Sequence, residues 1–265
     1  KYSWDFRTIE TTGIVDNFSN VPATYNSSSS NEDGITLDGS NSISVGNSQA
    51  PVVLRENCFS IEMYIKIETF EDATLLYFTG PDSNHLNLGI SENYGGIGHH
   101  FTISGLNGML NNIGKSVSAF HMIHTRVENE DYDYDYYMDY DYEDHIQQEW
   151  LHVVWKSSVH WYDPAHPYYQ NYSVVHCYVN GTKCTGTRDT STDHYWYMDC
   201  FHPYHHNRFF PENFEPLSGD NNSFGMNVNG TYNFAGKLGY VRIWEGYALT
   251  EDEILYLYND RLNIL

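Results

Sequence analysis

The chain has 265 residues and a formal net charge of −22, because 35 Asp and Glu residues stand against only 13 Lys and Arg residues. This charge repels nucleic-acid phosphate and anionic lipid, so we expect no nucleic-acid partner and a preference for cations or basic proteins. Aromatic residues make up 16% of the chain, more than acidic disordered proteins contain, and no apolar run is long enough to span a membrane. We therefore expect a single folded domain over residues 1–265.

Apolar and polar residues alternate with a period of two in most of the chain, which is typical of half-buried β-strands. The clearest case is residues 58–68, where Phe59, Ile61 and Met63 alternate with Ser60 and Glu62. This segment is predicted to be a strand with one face toward the core.

Further strands are predicted in short segments bounded by Gly, Asn, Asp or Pro. Residues 34–46 predict two short strands around a Gly-Ser-Asn turn. The other predicted strands lie at residues 72–80, 86–91, 99–105, 149–157, 173–181 and 236–246. Residues 14–32 are rich in Ser and Asn, and we expect a long loop or an exposed arm there.

One helix is predicted near the end of the chain. Thr250 and Glu253 have the spacing of a capping box, and acidic residues occupy the first turn, where the helix dipole favours them. The helix should run from about Glu251 to Tyr258. Because no amphipathic helix separates the strands, the pattern favours an all-β antiparallel sandwich over alternating strands and helices.

Several of these segments, in this order, resemble the laminin G-like, concanavalin A-type jelly roll. The resemblance lies in the Trp and His-Val strand at 149–158, the Tyr-Val-Asn-Gly turn at 176–183, and the closing strand and helix at 234–258. It covers roughly residues 33 to 258, and the Trp-Asp-Phe segment at Trp4 matches the family's first strand. It implies two packed antiparallel sheets with a concave face. The fold carries lectins, adhesion modules, structural domains and glucanases alike, so it does not specify an activity.

Two segments, at about residues 120–148 and 190–220, depart from this pattern and are expected to be insertions in loops. The first contains the acidic tract, residues 130–144, with eight carboxylates, six tyrosines and one methionine. Its carboxylates and tyrosines alternate, so an extended chain would carry acids on one side and aromatic rings on the other. We interpret this tract as an ordered interaction surface.

Three interpretations of the acidic tract stay open: a solvated loop, tyrosine burial against the same or a neighbouring subunit, and cation binding. The predicted interface tyrosines are Tyr132, Tyr134, Tyr136, Tyr137, Tyr140 and Tyr142. The candidate calcium ligands are Asp133, Asp135, Asp139 and Asp141. Side chains two residues apart on one strand lie too far apart to share one calcium, so such a site would require a turn.

Further aromatic residues are candidates for stacking on sugars or for contacts with other proteins. They are Trp161, Tyr195, Trp196 and Tyr197. The alternative is that they are ordinary core or loop anchors.

Glycosylation and disulfide signals favour a secreted protein in the extracellular space or on the cell surface. Six Asn-x-Ser/Thr sequons occur in turn-rich stretches, at Asn17, Asn26, Asn171, Asn180, Asn221 and Asn229. The four cysteines lack Cys-x-x-Cys spacing and predict two disulfides among Cys58, Cys177, Cys184 and Cys200. The pairing Cys177–Cys184 with Cys58–Cys200 is favoured of the three, because the first two cysteines flank the Asn-Gly turn symmetrically.

Catalytic motifs do not occur in the sequence. Laminarinase-type glucanases of this fold use a Glu-x-Asp-x-x-Glu strand, which is absent here, as are Gly-x-Ser-x-Gly and His-Glu-x-x-His motifs. We therefore expect a secreted, non-catalytic glycoprotein that self-associates or binds other extracellular proteins through its Tyr-rich insertions, as a structural or adhesive subunit of a coat or filament. The alternative is a calcium-dependent, carbohydrate-binding module, and a glycoside hydrolase is the remote one.

Overall fold

The computed structural model describes residues 1–7, 13–16, 18–25, 30–31, 33–69, 71–81, 84–92, 99–105, 117–121, 150–160, 172–183, 208–209, 216–227 and 229–261. Two antiparallel sheets pack face to face around the core, and one short helix follows the last strand. The predicted two-sheet jelly-roll sandwich with a C-terminal helix is confirmed.

Sheet A has nine strands in the described part of the chain: β1 (Tyr2–Asp5), β4 (Ser30–Asn31), β5 (Gly34–Asp38), β7 (Phe59–Ile67), β12 (Trp150–His160), β13 (Tyr172–Val179), β14 (Thr182–Lys183), β15 (Arg208–Phe209) and β17 (Ala235–Glu245). Their order is β14-β13-β12-β7-β17-β5-β4, with β1 also paired to β17 and β15 to β13. The first and last strands of the described ranges, β1 and β17, therefore lie side by side.

Sheet B has eight strands within the same described ranges: β2 (Gly13–Val15), β3 (Pro22–Tyr25), β6 (Ile43–Val45), β8 (Ala73–Thr79), β9 (His85–Glu92), β10 (His99–Ser104), β11 (Val117–His121) and β16 (Asn222–Phe224). Their order is β11-β10-β9-β8-β16-β6-β3-β2. Strands β2 and β3 correct the expectation of a loop or arm at residues 14–32. Pro22 is tolerated because it is the first residue of its strand.

Aromatic rings join the two sheets through the core. Trp4 of sheet A meets Phe224 of sheet B edge to face at 5.5 Å, and Trp155 of sheet A meets Phe101 of sheet B at 5.6 Å. All four side chains are fully buried, and edge-to-face pairs add to the stabilisation from burial alone. Trp4 of β1 thus links the two sheets.

Strand β7 corrects one expectation. The sequence predicts that its polar face points to solvent, yet Ser60 and Glu62 are as buried as Phe59 and Ile61. The cause is the helix α1 (Glu251–Asn259), which packs over the outer face of sheet A. Val154 on that face packs against Ile254 of the helix.

Helix α1 has the predicted start. Thr250 accepts the backbone N–H of Glu253, and the Glu253 carboxylate accepts the Thr250 N–H at 2.7 Å, which completes the capping box. The helix continues one residue beyond the predicted end. No helix in the described ranges is long and apolar enough to cross a membrane.

Candidate functional site

The outer faces of the two sheets differ in what covers them. On sheet A, Val154 and Tyr178 form a small buried cluster with Leu249 and Ile254, which precede and belong to α1. On sheet B, Thr24 and Ser44 point outward and are exposed. The outer face of sheet A is thus covered by α1 at this cluster, whereas the outer face of sheet B is exposed at Thr24 and Ser44.

The outer face of sheet A contains a cluster of buried polar groups around Glu62. Oε1 of Glu62 lies 2.9 Å from Nε2 of His152 and accepts the hydroxyl of Tyr240 at 3.0 Å. The guanidinium of Arg242 donates to the same carboxylate at 3.4 Å. Buried charges are stable only when they are paired and hydrogen-bonded, and the Glu62 carboxylate meets that condition.

Aromatic rings close this cluster from the side. Tyr64 stacks between Trp150 at 4.6 Å and Tyr240 at 5.4 Å, and the Arg242 guanidinium lies over the Tyr240 ring at 4.2 Å. Burial, and then the charge of Glu62, raise the pKa of Tyr240 above its ordinary value. Glu62 is fully buried, and its carboxylate joins side chains from three strands of sheet A.

The outer face of sheet B carries a row of polar side chains that crosses five strands. In the strand registers, each residue of this row lies opposite the next one on the neighbouring strand. The residues are, in order, Asn87, Tyr77, Ser223, Ser44 and Thr24. Each alternates with residues that point into the core, so the row faces away from the core.

The aromatic member of this row is part of a ring pair. The Tyr77 ring stacks on the imidazole of His85, with centroids 5.2 Å apart, and burial raises the pKa of the Tyr77 hydroxyl. Beside it, Oδ1 of Asn87 is buried and accepts no hydrogen bond from the described residues. The half-buried Tyr77 ring can contact a ligand that is apolar on one face, whereas the buried Oδ1 of Asn87 is not exposed to one.

The other end of the row opens into a polar cleft of about 390 Å³. Its lining residues are Thr24, Tyr25, Asp38, Ser40, Asn41, Ser42, Ser44 and Met226. Thr24 and Ser44 belong to both the row and the cleft, so the two features form one continuous surface. Ser223 of the row reaches the same rim, because its hydroxyl donates to the carbonyl of Met226 at 2.5 Å.

The β5–β6 turn shapes the cleft. The carboxylate of Asp38 accepts the hydroxyl of Ser40 at 2.7 Å and its backbone N–H at 2.9 Å, while Oδ1 of Asn41 accepts the Asp38 N–H at 3.3 Å. Gly39 has φ of +79°, a conformation that favours glycine. The Ser40 hydroxyl, followed by its N–H, lowers the pKa of Asp38, so the cleft carries a negative charge at neutral pH.

Most of the site residues predicted from sequence lie outside the described residues. This holds for the acidic tract with its tyrosines and aspartates, for Trp161 and for the aromatic triplet at residues 195–197. The interaction surface and calcium site assigned to them stay predictions. Of the two insertions, the described parts include β11, which ends inside the first, and β15, which adds a short strand beside β13.

Three sequons are described, and they differ in exposure. Asn221 and Asn229 are exposed, whereas Asn180 is half-buried at φ +49° in the predicted Asn-Gly turn. Oδ1 of Asn180 accepts the backbone N–H of His152 at 3.0 Å. The asparagines of the other sequons, at 17, 26 and 171, lie outside the described ranges.

The described cysteines are Cys58 and Cys177, and no disulfide is seen in the part of the chain that the structure describes. Both predicted pairings include a cysteine outside that part, so they stay predictions. Burial raises the pKa of the half-buried Cys58 thiol. Cys177 lies in the core opposite Trp155.

The polar row and the cleft could not be recognised from the sequence alone. Tyr77 alternates with Leu76 and Phe78, so its outward direction was available from the pattern. The residues opposite Tyr77 on neighbouring strands could not be predicted, because the register between two strands cannot be read from one strand alone. For the same reason the Gly-Ser-Asn segment predicts a turn but not the cleft beside it. No group of three or more His, Cys, Asp or Glu residues suited to a metal occurs among the described residues.

Comparisons with known proteins concern the fold. No protein-family model matches the chain, and no curated protein sequence matches it. Domain 4 of AbnA, a GH43 extracellular arabinanase from Geobacillus stearothermophilus solved in complex with arabinotriose, has a TM-score of 0.50 at 15% identity, with 97% of each chain covered. A Trypanosoma rangeli sialidase, solved with 2,3-difluorosialic acid as a covalent intermediate, has a TM-score of 0.51 at 11% identity. The match covers 98% of this chain and 33% of the sialidase.

These similarities support the β-sandwich part of the expected resemblance. The narrower likeness to laminin G domains depends on the sequence motifs alone. The chain therefore has a β-sandwich fold similar to that of the arabinanase domain and of part of the sialidase.

Proposed function

We propose that this chain is a carbohydrate-binding β-sandwich module without catalytic activity, and that glycans bind on the outer face of sheet B. The observation that carries the proposal is the polar row from Asn87 to Thr24, which runs without interruption into the open cleft at Asp38.

The chemistry of this surface suits sugar hydroxyls. Hydroxyl, amide and carboxylate groups supply both donors and acceptors, and the Tyr77 ring offers an apolar face for a sugar ring. Three strand spacings separate Tyr77 from Thr24, which is about 14 Å and accommodates roughly three linked sugar units. Specificity at such sites comes from a few polar groups that a rigid scaffold holds in place. The hydrogen-bonded turn at Asp38 holds its polar groups in this way.

Absence of catalysis is part of the proposal. Glycoside hydrolysis requires a pair of carboxyl groups on either side of the scissile bond. Asp38 is the one carboxylate among the described residues that line the cleft, and Glu62 is buried beneath α1. Neither arrangement offers such a pair.

Calcium dependence and an extracellular location are further parts of the proposal. They depend on the acidic tract and on the exposed sequons Asn221 and Asn229. If calcium is needed, EDTA should abolish glycan binding and calcium should restore it. Unchanged binding in EDTA would restrict the proposal to a calcium-independent module.

A structural or adhesive subunit is the second candidate function. It is favoured by the Tyr-rich tract and by the exposed helix residues Leu255 and Tyr256, which are 47% and 65% exposed. Sedimentation over a concentration series tests it, with Tyr134→Ala and Tyr136→Ala expected to shift the distribution toward monomer.

Isothermal titration with linear oligosaccharides of increasing length tests the carbohydrate-binding proposal. Affinity should rise up to about three units, since the surface spans about 14 Å. Asn41→Ala should weaken binding of all lengths, because Asn41 lines the cleft. Tyr77→Ala should weaken binding of the longer chains by roughly fivefold or more through loss of ring contact.

Tyr256→Ala is the matched control for the Tyr77 variant, since it removes an exposed ring on the other sheet's side. It should leave binding unchanged. A chain that binds no oligosaccharide, or one that loses as much affinity with Tyr256→Ala as with Tyr77→Ala, contradicts the proposal.

A further inference from the structure

The basic side chains of the described strands are distributed unequally between the two sheets. The strands of sheet A carry Lys66, Lys156, Lys183, Arg208, Lys237 and Arg242. The eight described strands of sheet B carry neither lysine nor arginine. The outer face of sheet B is thus built without permanently cationic side chains from its described strands.

The cleft continues this pattern. The described residues of its lining include no lysine or arginine, and the one charged group among them is the carboxylate of Asp38. Lys237 stands opposite Thr36 in the strand next to the cleft, but it pairs with Asp33 at 3.8 Å. Thr36 and Lys237 alternate with core residues of sheet A and point away from the core, where Asp33 offsets the charge of Lys237.

We propose, on the basis of the carbohydrate-binding function above, that this surface selects uncharged oligosaccharides and rejects acidic ones. Proteins bind carboxylate and sulfate groups through arginine and lysine, which provide charge-assisted hydrogen bonds. This face offers none from its strands, and Asp38 repels an anion placed in the cleft. The net charge of −22 acts in the same direction at longer range.

The affinity of the intact chain for matched pairs of immobilised glycans tests the inference. One member of each pair is a neutral oligosaccharide, and the other is the same oligosaccharide carrying one sialic acid, one uronic acid or one sulfate. The neutral member should bind at least about tenfold more tightly, since like charges brought together at an interface are strongly unfavourable. Equal or tighter binding of the acidic member would overturn the inference and leave the carbohydrate-binding function standing. Failure to bind any glycan would overturn both.

A charge-introducing variant provides a second, independent measurement. Thr24→Lys places a cation at an exposed position of the row beside the cleft. It should increase binding of the acidic member relative to the neutral one by at least threefold, with a gain that shrinks as salt screens the charge. Tyr256→Lys adds the same charge on α1 and should leave the ratio unchanged. An equal change in both variants would contradict a local charge effect, and so would no change in either.

Discussion

Nε2 of His152 on β12 lies 2.9 Å from Oε1 of Glu62 on β7, and neither side chain has any exposed surface. The same carboxylate accepts Tyr240 and Arg242 from β17, so three adjacent strands of sheet A meet at one buried group. These contacts hold β7, β12 and β17 together where α1 covers sheet A.

Replacing Glu62 with alanine should reduce the free energy of unfolding by about 3 kcal/mol or more. The variant removes the carboxylate that faces a buried guanidinium and a buried imidazole, and water cannot replace it. Urea denaturation monitored by tryptophan fluorescence measures the loss. Glu68→Ala, at an exposed position just beyond the same strand, should change stability by less than about 0.5 kcal/mol. Equal effects of the two variants would contradict the account.

Stability should decline at alkaline pH through Tyr240. Burial and the Glu62 charge raise its pKa in the folded state, so its contribution is complete below the unfolded value of about 10. Above that pH the unfolded tyrosine releases its proton while the folded one retains it, and unfolding becomes easier. Urea midpoints measured across the alkaline range should fall less steeply for Tyr240→Phe than for the parent chain. Parallel slopes would show that other groups cause the decline.

Thr250→Ala should destabilise the chain by about 1 kcal/mol, because the backbone N–H of Glu253 loses its acceptor at the start of α1. Thr250→Ser keeps the hydroxyl and serves as the control. Thermal unfolding measures the difference. If serine costs as much as alanine, the capping hydrogen bond is not the cause.

Glycan occupancy should differ between the described sequons when the chain is secreted from eukaryotic cells. Asn221 and Asn229 are exposed and should be occupied. Asn180 should be unoccupied in folded material, because its side chain bonds to His152 and the adjoining Gly181 faces Leu255 of α1. Peptide mass mapping after enzymatic deglycosylation reports each site. High occupancy at Asn180 in stable protein would contradict this reading.

The elements of the fold could be predicted where the signal is local. The alternation in residues 58–68 predicted β7, and the Thr250 and Glu253 pair predicted the start of α1, because each depends on residues only a few positions apart. Whether the polar face of β7 is exposed or buried could not be predicted. Glu62 is buried because α1 and two other strands, distant in sequence, cover it.

The polar surface of sheet B could likewise be predicted only in part. Alternation alone was enough to place Tyr77 away from the core, and the Gly-Ser-Asn segment was enough for a turn at Asp38. That the two lie on one surface follows from the pairing of β8 with β16, β16 with β6 and β6 with β3. Hydrogen-bond register between remote strands depends on how the whole sandwich packs, and no single stretch of residues contains that information.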